Sequence, residues 1–150
     1  MRAIVQRVRD ASVTVDNAVT GSIKLGLLVY LGVCDSDTEE ICAKMASKIA
    51  RMRIFRDSEE KMNLSVSDIA GDVLVVSQFT LYASMKKGNR PSFDGAGKPE
   101  LAEKLYENFM EQLRALGLHV EHGVFGAHMH VRYENDGPVT MIMDSDELFK

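Results

Sequence analysis

The chain has 150 residues, of which 45% are hydrophobic and 27% are charged, and its formal net charge at pH 7 is −4. These values predict one soluble globular domain over residues 1–150 that needs neither a disulfide nor a metal ion to fold. The net negative charge argues against indiscriminate binding to nucleic acid, and no DNA partner is expected, although a local basic patch can still form.

Nothing in the sequence predicts export or insertion into a membrane. Cys34 and Cys42 are isolated, which is typical of reduced thiols in a cytosolic protein. The first residues alternate arginine with valine and lack the apolar core of a signal peptide. The apolar run 26–33 is too short to cross a bilayer. We therefore expect a cytoplasmic protein with no membrane partner.

The pattern of residues in the N-terminal part of the chain predicts strands joined by short turns. Alternating apolar and polar residues favour a first pair of strands, and Asn17-Ala18 favours a hairpin into a third. Gly21 and Gly26 are expected to bracket a turn before a buried strand. The predicted strands are 3–8, 11–16, 19–20 and 27–33.

Two amphipathic helices are predicted. Ser36 with Glu39 fits a capping box at the start of the first helix. Pro99 suits the first turn of the second helix, and Gly117 suits its end. The apolar stripes are Ile41, Met45, Ile49 and Met52 in the first helix and Leu101, Leu105, Phe109, Leu113 and Leu116 in the second.

Between the helices, a buried strand over 73–76 delivers residues 77–80 at its carboxyl end. A glycine-rich stretch follows, two more strands are predicted near 129–133 and 139–143, and 62–69 is ambiguous. This order predicts an α/β fold of the α+β type, a single-domain sandwich with a mixed, largely antiparallel sheet and two main helices. No glycine-rich phosphate loop is present, and no cofactor is expected.

Two hydroxyl groups, those of Ser77 and Thr80, follow this buried strand. A nucleophilic hydroxyl needs a base, and the nearest acids in the sequence are Asp72 and Asp94, outside the motif. Two interpretations stay open. In one, the hydroxyls only satisfy backbone groups at the strand end. In the other, backbone N–H groups face an oxyanion while Ser77, Gln78 and Thr80 fix the geometry.

Three further groups of residues have a structural and a functional interpretation. The cations after the polar motif suit a solvated loop or contacts with phosphates, and the nearby aromatics suit the core or stacking on adenine. His128 and His130 share a strand face and could bind zinc with His119 or His122, but no carboxylate or cysteine completes the set, so no metal is expected. The cations are Lys86, Lys87, Arg90 and Lys98, and the aromatics are Phe79, Tyr82, Phe93 and Phe125.

Two segments carry a resemblance to a known family. They are Ser77-Gln78-Phe79-Thr80-Leu81-Tyr82 and Asn135-Asp136-Gly137-Pro138-Val139-Thr140. They resemble the signature motifs of the D-aminoacyl-tRNA deacylases, written SQFTL and NxGPVT. The resemblance continues in chain order through segments 1–8, 52–55, 87–93 and 99–102. An ordered set from end to end is far more specific than either motif alone.

The resemblance implies a tRNA-editing hydrolase that cleaves the ester between a D-amino acid and the 3′-terminal adenosine of tRNA, with mischarged glycine as a further substrate to test. The implied catalytic residues are Ser77, Gln78, Phe79 and Thr80. The mechanism in this family is thought to use the 2′-hydroxyl of the RNA, and a threonine matching Thr80 has also been argued to be the nucleophile. Because no base is visible, we favour a positioning role for Thr80.

The resemblance also implies a chiral filter. On sequence alone an X-Pro bond is trans by default, whereas in the family the bond matching Gly137-Pro138 is cis and enters the active site of the partner subunit, where it excludes L-amino acids. Arg7 is implied to hold this element, and a homodimer is implied because each subunit needs the other's loop. Contacts with the acceptor end of aminoacylated tRNA are assigned to Lys86, Lys87, Arg90 and Asn135.

The chain departs from the family pattern at His128 and His130, where an acid and an amide are usual, and at Ser84, where an acid is usual. Any role of the acid at position 128 therefore does not transfer. Two other functions stay open, namely a non-catalytic RNA-binding dimer of the same fold and a metal-dependent esterase built on the histidines. A binder would leave the ester intact, and chelation would inactivate a metalloesterase.

Overall fold

A mixed five-stranded sheet forms the centre of the computed structural model, which describes residues 1–150. In chain order the elements are β1 (Arg2–Val15), β2 (Ala18–Gly32), α1 (Glu39–Ala50), β3 (Phe55–Arg56), β4 (Met62–Leu64), β5 (Asp72–Ser77), a 3₁₀ turn (Phe79–Tyr82), α2 (Pro99–Ala115), β6 (Val120–His122), β7 (His130–Asp144) and α3 (Ser145–Phe149). The strand order in the sheet is β6-β5-β2-β1-β7, and β3 and β4 form a small separate sheet.

The predicted mixed α/β architecture is confirmed. β1 is antiparallel to β2 and β7, whereas β5 is parallel to β2 and β6. A cluster of 25 buried residues lies between one face of this sheet and the helices α1 and α2. A second cluster of seven buried residues lies on the opposite face. Burying a large apolar side chain contributes about 1.5–3 kcal/mol, so the helix-covered face supplies most of the hydrophobic stabilisation.

The strands are longer than the sequence predicted. The two predicted strands 3–8 and 11–16 are one strand, β1, in which Asp10 has φ 47 and the pairing with β7 slips. The break between the two predicted strands is therefore a bulge inside one strand. In the local sequence pattern such a bulge looks the same as a turn between two strands. The first hairpin turns at Asp16-Asn17, both with positive φ, one residue earlier than predicted.

The turn predicted between Gly21 and Gly26 was wrong, because both glycines lie inside the single strand β2. A Cβ at Gly26 would collide with the backbone of Asp72 in β5, and one at Gly21 would lie 2.5 Å from the carbonyl oxygen of His122. These glycines permit close approach of neighbouring backbones, which is the other common reason for glycine in a strand.

The first predicted helix is confirmed, but its cap was misplaced. Thr38, not Ser36, is the N-cap, and its hydroxyl accepts a hydrogen bond from the N–H of Ile41 at 3.2 Å. The capping box that Ser36 and Glu39 suggested is therefore wrong, since Glu39 is already the first helical residue. Ser36 instead contacts the thiol of Cys34.

The second helix begins at Pro99 and ends just before Gly117, whose φ is +86. Its predicted stripe is confirmed for the fully buried Leu105, Phe109 and Leu113. Leu116 is 49% exposed and is the C-cap, one residue beyond the last helical residue Ala115.

The last two predicted strands are also one strand, β7, interrupted by a loop. Gln6 of β1 pairs with Thr140, and Val8 pairs with Asn135, so two steps along β1 match five along β7. The extra residues form what we call the Gly-Pro bulge, residues 136–139. The short β6 and α3 were not predicted, because elements of three and five residues carry little periodicity.

None of the helices is both long enough and apolar enough to cross a membrane.

Candidate active site

The first predicted motif lies at the carboxyl end of β5. Ser77 is the last residue of β5 and pairs with Leu31 of β2, and the N–H of Gln78 donates to the carbonyl oxygen of Leu31 at 2.8 Å. The chain then forms the 3₁₀ turn, none of whose side chains is buried. The buried run 73–76 thus carries a polar segment to the point where the sheet reaches the surface.

The hydroxyl of Thr80 has no base beside it. Its Oγ1 accepts a hydrogen bond from Nε2 of Gln78 at 2.5 Å, and no histidine or carboxylate bonds to it or to the Ser77 hydroxyl. The N–H groups of Phe79 and Thr80 open the turn and have no acceptor within it. The arrangement can orient polar groups toward a carbonyl, but it contains no catalytic triad.

A cavity of about 650 Å³ opens beside this segment, a volume typical of small-molecule sites. Ser77, Gln78 and Phe79 line it, whereas Thr80 lies just outside. The other lining residues are mainly apolar: Leu31, Val33, Val76, Phe93, Ala96, Gly97, Lys98, Pro99, Ala102, Tyr106, Phe125, Gly126, Ala127, His128, Met129 and Val131.

Three of the four aromatics singled out in the sequence surround the cavity. Phe79 and Phe93 are 58% and 37% exposed, and their ring centroids lie 5.0 Å apart in an edge-to-face arrangement. Phe125 also lines the cavity. Tyr82 does not, because its ring lies beneath the guanidinium of Arg2, 4.6 Å from the ring centroid. Exposed aromatic faces of this kind can stack on a nucleobase.

The second predicted motif forms the Gly-Pro bulge. The Gly137-Pro138 peptide bond is cis, and both residues are exposed. Asn135 closes the bulge, since its Oδ1 accepts from the N–H of Val139 and its Nδ2 donates to Oγ1 of Thr140, each at 3.1 Å. Asn135 thus uses both ends of its amide within its own loop, and its assigned contact with tRNA stays a prediction.

Arg7 lies beneath this bulge. It is only 5% exposed, and its Nε donates to the carbonyl oxygen of Asp136 at 3.0 Å, while Nη1 donates to the carbonyl oxygen of Ile54 at 2.7 Å. The carboxylate of Asp136 lies 3.4 Å from the same Nε and provides a countercharge. The planar guanidinium therefore joins the bulge to the loop before β3 through bonds of fixed direction.

The two motifs are far apart within one chain. Ser77 is level with Leu31, Ala3 and Met143 across the sheet, whereas the Gly-Pro bulge lies opposite Arg7, four residues further along β1. Three strand spacings and four residues correspond to about 14 Å across and about 13 Å along, hence a separation of about 20 Å. The bulge therefore does not line the cavity of its own chain.

The basic loop, residues 85–91 after the 3₁₀ turn, is closed at its base by two backbone hydrogen bonds. Ser84 and Ser92 exchange both backbone hydrogen bonds, at 2.8 and 2.9 Å. Lys86, Lys87 and Arg90 are exposed, and none of them forms an ion pair. The nearby Asp94 instead accepts from the hydroxyl of Ser92. These three positive charges are thus available to an anionic partner.

The histidines do not come together as a metal site. No three His, Cys, Asp or Glu side chains lie close enough to hold a metal ion. His119 contacts Glu121 and His122 contacts the carbonyl of Gly123, while the rings of His128 and His130 lie 5.1 Å apart. His128 lines the cavity. The geometry gives the metal-dependent esterase no support.

Sequence reasoning missed part of the cavity wall. Tyr106 and Met129 line the cavity, but neither was singled out as a site residue in the sequence. The hydroxyl of Tyr106 donates to the carbonyl of Val75, so even its polar atom serves the fold. The role of Asp136 was also missed, because it depends on a backbone carbonyl that side-chain patterns do not report.

Comparisons with known proteins agree with the motifs. Residues 4–144 match the family model described as D-Tyr-tRNA(Tyr) deacylase. The chain is 56% identical over 149 residues to a D-aminoacyl-tRNA deacylase of Thermotoga petrophila, covering 99% of this chain and 100% of that protein. It is 57% identical over 149 residues to a D-aminoacyl-tRNA deacylase of Koribacter versatilis, with the same coverage.

Two solved structures share the fold. One, titled c-Myc DNA Unwinding Element Binding Protein, is 42% identical, has a TM-score of 0.90, and matches over 96% of this chain and 98% of its own. The other, titled as a probable eukaryotic D-amino acid tRNA deacylase, is 20% identical with a TM-score of 0.82, over 95% of this chain and 97% of its own. At that identity the second likeness concerns the fold alone.

Proposed function

The chain belongs to the D-Tyr-tRNA(Tyr) deacylase family, and from this we propose that it is a tRNA-editing hydrolase that releases D-amino acids from tRNA. The reaction adds water across the ester: oxygen bonds to the carbonyl carbon, and the ribose 3′ oxygen leaves with a proton. The single observation that carries the proposal is the polar strand end of Ser77 and Gln78 opening into an apolar cavity of about 650 Å³.

In this proposal the protein positions the ester and stabilises the charge that develops on it. The free N–H groups at the start of the 3₁₀ turn are suitable donors to an oxyanion, and Gln78 fixes the hydroxyl of Thr80 beside them. No base activates Thr80, so the attacking oxygen belongs to water, assisted by the 2′-hydroxyl of the RNA. One lost donor of this kind typically costs about 100- to 1000-fold in rate.

Chiral selection comes, in this proposal, from a second copy of the chain. The Gly-Pro bulge lies about 20 Å from Ser77 of its own chain, does not line its own cavity, and is exposed on an edge strand. It can therefore act on a cavity only across a subunit interface. An apolar patch supports such a homodimer: Ile142 is 82% exposed on the sheet face opposite α1 and α2, beside its strand partner Ile4.

The substrate is held from two directions. The aminoacyl-adenosine end enters the apolar cavity, where Phe79 and Phe93 offer aromatic surface. Lys86, Lys87 and Arg90 lie on the loop that follows and contact the phosphates of the acceptor end. This division assigns base stacking to the cavity and electrostatic attraction to the loop. Mischarged glycine, which has no side chain to exclude, is a further substrate in this scheme, and the cytoplasm is the compartment where it would act.

The experiment is a deacylation assay with matched D-Tyr-tRNA and L-Tyr-tRNA under limiting enzyme. The proposal requires multiple turnovers on the D-ester and a rate on the L-ester close to that of spontaneous hydrolysis. An intact D-ester with tight RNA binding would instead indicate the non-catalytic RNA-binding dimer. Loss of activity with a chelator would indicate the metal-dependent esterase. Duplex DNA added as a competitor tests the predicted absence of a DNA partner.

A further inference from the structure

Arg2 joins three parts of the molecule that meet near the active site. Its Nε donates to Oδ2 of Asp144 at the end of β7, at 2.8 Å. Its Nη1 donates to the carbonyl oxygen of Leu81 at 3.0 Å, and its guanidinium lies over the ring of Tyr82 at 4.6 Å. One side chain at the start of β1 thus anchors the last two residues of the 3₁₀ turn.

The 3₁₀ turn needs such an anchor. It has four residues and no buried side chain, and 3₁₀ hydrogen bonds have poorer geometry than those of an α-helix. The bonds around it run from the N–H of Leu81 to Gln78 at 3.3 Å and from that of Ala83 to Thr80 at 3.0 Å. Gly32 supports it from below, since a Cβ there would lie 3.0 Å from the carbonyl oxygen of Gln78.

Asp144 orients the guanidinium of Arg2. Burial acts to raise the pKa of this carboxyl group, but the N–H of Asp146 and the side chain of Arg2 lower it overall. Asp144 is therefore a carboxylate at neutral pH, and Oδ1 is fixed by the N–H of Asp146 at 3.0 Å. A carboxylate held in this way fixes the orientation of the planar guanidinium, and in that orientation Nη1 donates to the carbonyl oxygen of Leu81.

We propose that Arg2 is a positioning residue for deacylation, which holds the 3₁₀ turn so that the N–H groups of Phe79 and Thr80 keep their positions beside the cavity. Arg2 does not line the cavity, so it acts through the turn and not on the ester. This inference rests on the proposed function. Misplacement of a catalytic group by about 1 Å costs on the order of 100-fold in rate.

The test compares Arg2→Met, Arg2→Lys and Asp144→Asn by single-turnover and steady-state hydrolysis of D-Tyr-tRNA. Arg56→Met is the matched control, because Arg56 also forms an exposed 2.8 Å pair, with Glu60, in the distant β3–β4 hairpin. We expect Arg2→Met to lose about 10- to 100-fold in rate with KM changed less than about threefold. Arg2→Lys should lose less rate than Arg2→Met, since lysine keeps the positive charge but lacks the planar guanidinium. Asp144→Asn should have a rate between those of wild type and Arg2→Met.

Hydrogen exchange provides a readout that does not depend on activity. In Arg2→Met the amides of Leu81 and Ala83 should exchange faster than in wild type, while Arg56→Met leaves them unchanged. Because the Arg2 side chain is 44% exposed, Tm should fall by less than about 4 °C. A folded Arg2→Met protein with wild-type rate and exchange would overturn the proposal. If wild type itself left the D-ester intact, the proposed function would fail, and the exchange result would still decide the role of Arg2 in holding the turn.

Discussion

The guanidinium of Arg7 lies against Gly137 so closely that a Cβ on Gly137 would come within 3.0 Å of Nη2. The same arginine donates from Nε to the carbonyl oxygen of Asp136, the residue before this glycine. The buried charge, the carbonyl and the missing side chain together determine the shape of the Gly-Pro bulge. This bulge is the part of the molecule to which we assign the rejection of L-amino acids.

Replacing Gly137 should therefore abolish selective hydrolysis without unfolding the protein. In Gly137→Ala the alanine would have to adopt a φ of +135. Its Cβ would lie 2.8 Å from Cγ2 of Val139 and 3.0 Å from Nη2 of Arg7. Gly117→Ala is the matched control, because Gly117 also has positive φ, +86, but no atom lies within 4 Å of its Cβ position. Each variant should lose about 1–3 kcal/mol of stability from backbone strain.

Only Gly137→Ala, and more strongly Gly137→Val, should lower the D-Tyr-tRNA rate, because the added side chain obstructs the pocket. The measurements are the D- and L-ester rates together with circular dichroism. A folded Gly137→Val protein with normal rates and selectivity would show that the bulge plays no part.

Neutralising the basic loop should weaken binding in a salt-dependent way. Changing Lys86, Lys87 and Arg90 to alanine removes up to three phosphate contacts, each worth about 0.7–0.9 in the slope of log K against log salt concentration. We expect KM to rise while the rate at saturation changes little. The measurement is KM for D-Tyr-tRNA from 50 to 300 mM KCl.

A control triple variant of Lys24, Arg56 and Lys61 removes the same charge from exposed pairs with carboxylates elsewhere. It should keep the wild-type slope. If both triple variants behave alike, the effect belongs to net charge, and the loop is only solvated surface.

Thr80 should contribute by position and not by covalent attack. Thr80→Ala should lose about 10- to 1000-fold in single-turnover rate, at most the cost of one lost oxyanion contact. Loss of a true nucleophile would cost on the order of a millionfold. Rapid quench followed by mass spectrometry should find no acyl adduct in wild type. A trapped ester on Thr80, with Thr80→Ala inactive and Thr80→Ser active, would establish covalent catalysis instead.

The two thiols should differ in reactivity. Burial, with smaller effects from Asp37 and Glu39, raises the pKa of Cys42 to about 12. A raised pKa keeps the thiol protonated at pH 8, and the thiolate is the reactive form. A disulfide reagent at pH 8 should therefore modify the half-buried Cys34 and spare Cys42 until the chain unfolds. A native Cys34→Ser protein that reacts promptly with one equivalent would contradict this.

Much of the fold could be predicted from the sequence, because the hydrophobic periodicity of long segments indicates which of their residues are buried. The stripe of α2 and the buried run 73–76 were found at nearly their observed bounds. The errors fell where local chemistry has two uses. Gly21 and Gly26 allow close strand approach as readily as turns, and Ser36 competes with Thr38 as a cap.

The candidate site could be predicted only in part, because its geometry depends on tertiary structure. The motifs placed Ser77 and Gly137 in the chain, but a sequence does not state the distance between two segments. Their separation of about 20 Å follows from the register of the sheet, and that separation requires a second copy if both act on one substrate. The cavity wall at Tyr106 and the contacts of Arg2 depend on tertiary structure alone.

Complementation tests most directly whether one active site is built from two chains. Gly137→Val keeps its Ser77–Thr80 segment but supplies a defective bulge, whereas a Gln78→Ala, Thr80→Ala double variant does the reverse. Mixed after unfolding and refolding together, two weakly active proteins should recover up to about a quarter of wild-type sites, since half the dimers are mixed and each has one intact site. If refolded mixtures of folded variants never exceed the sum of their separate D-Tyr-tRNA rates, the bulge and the cavity do not act across subunits.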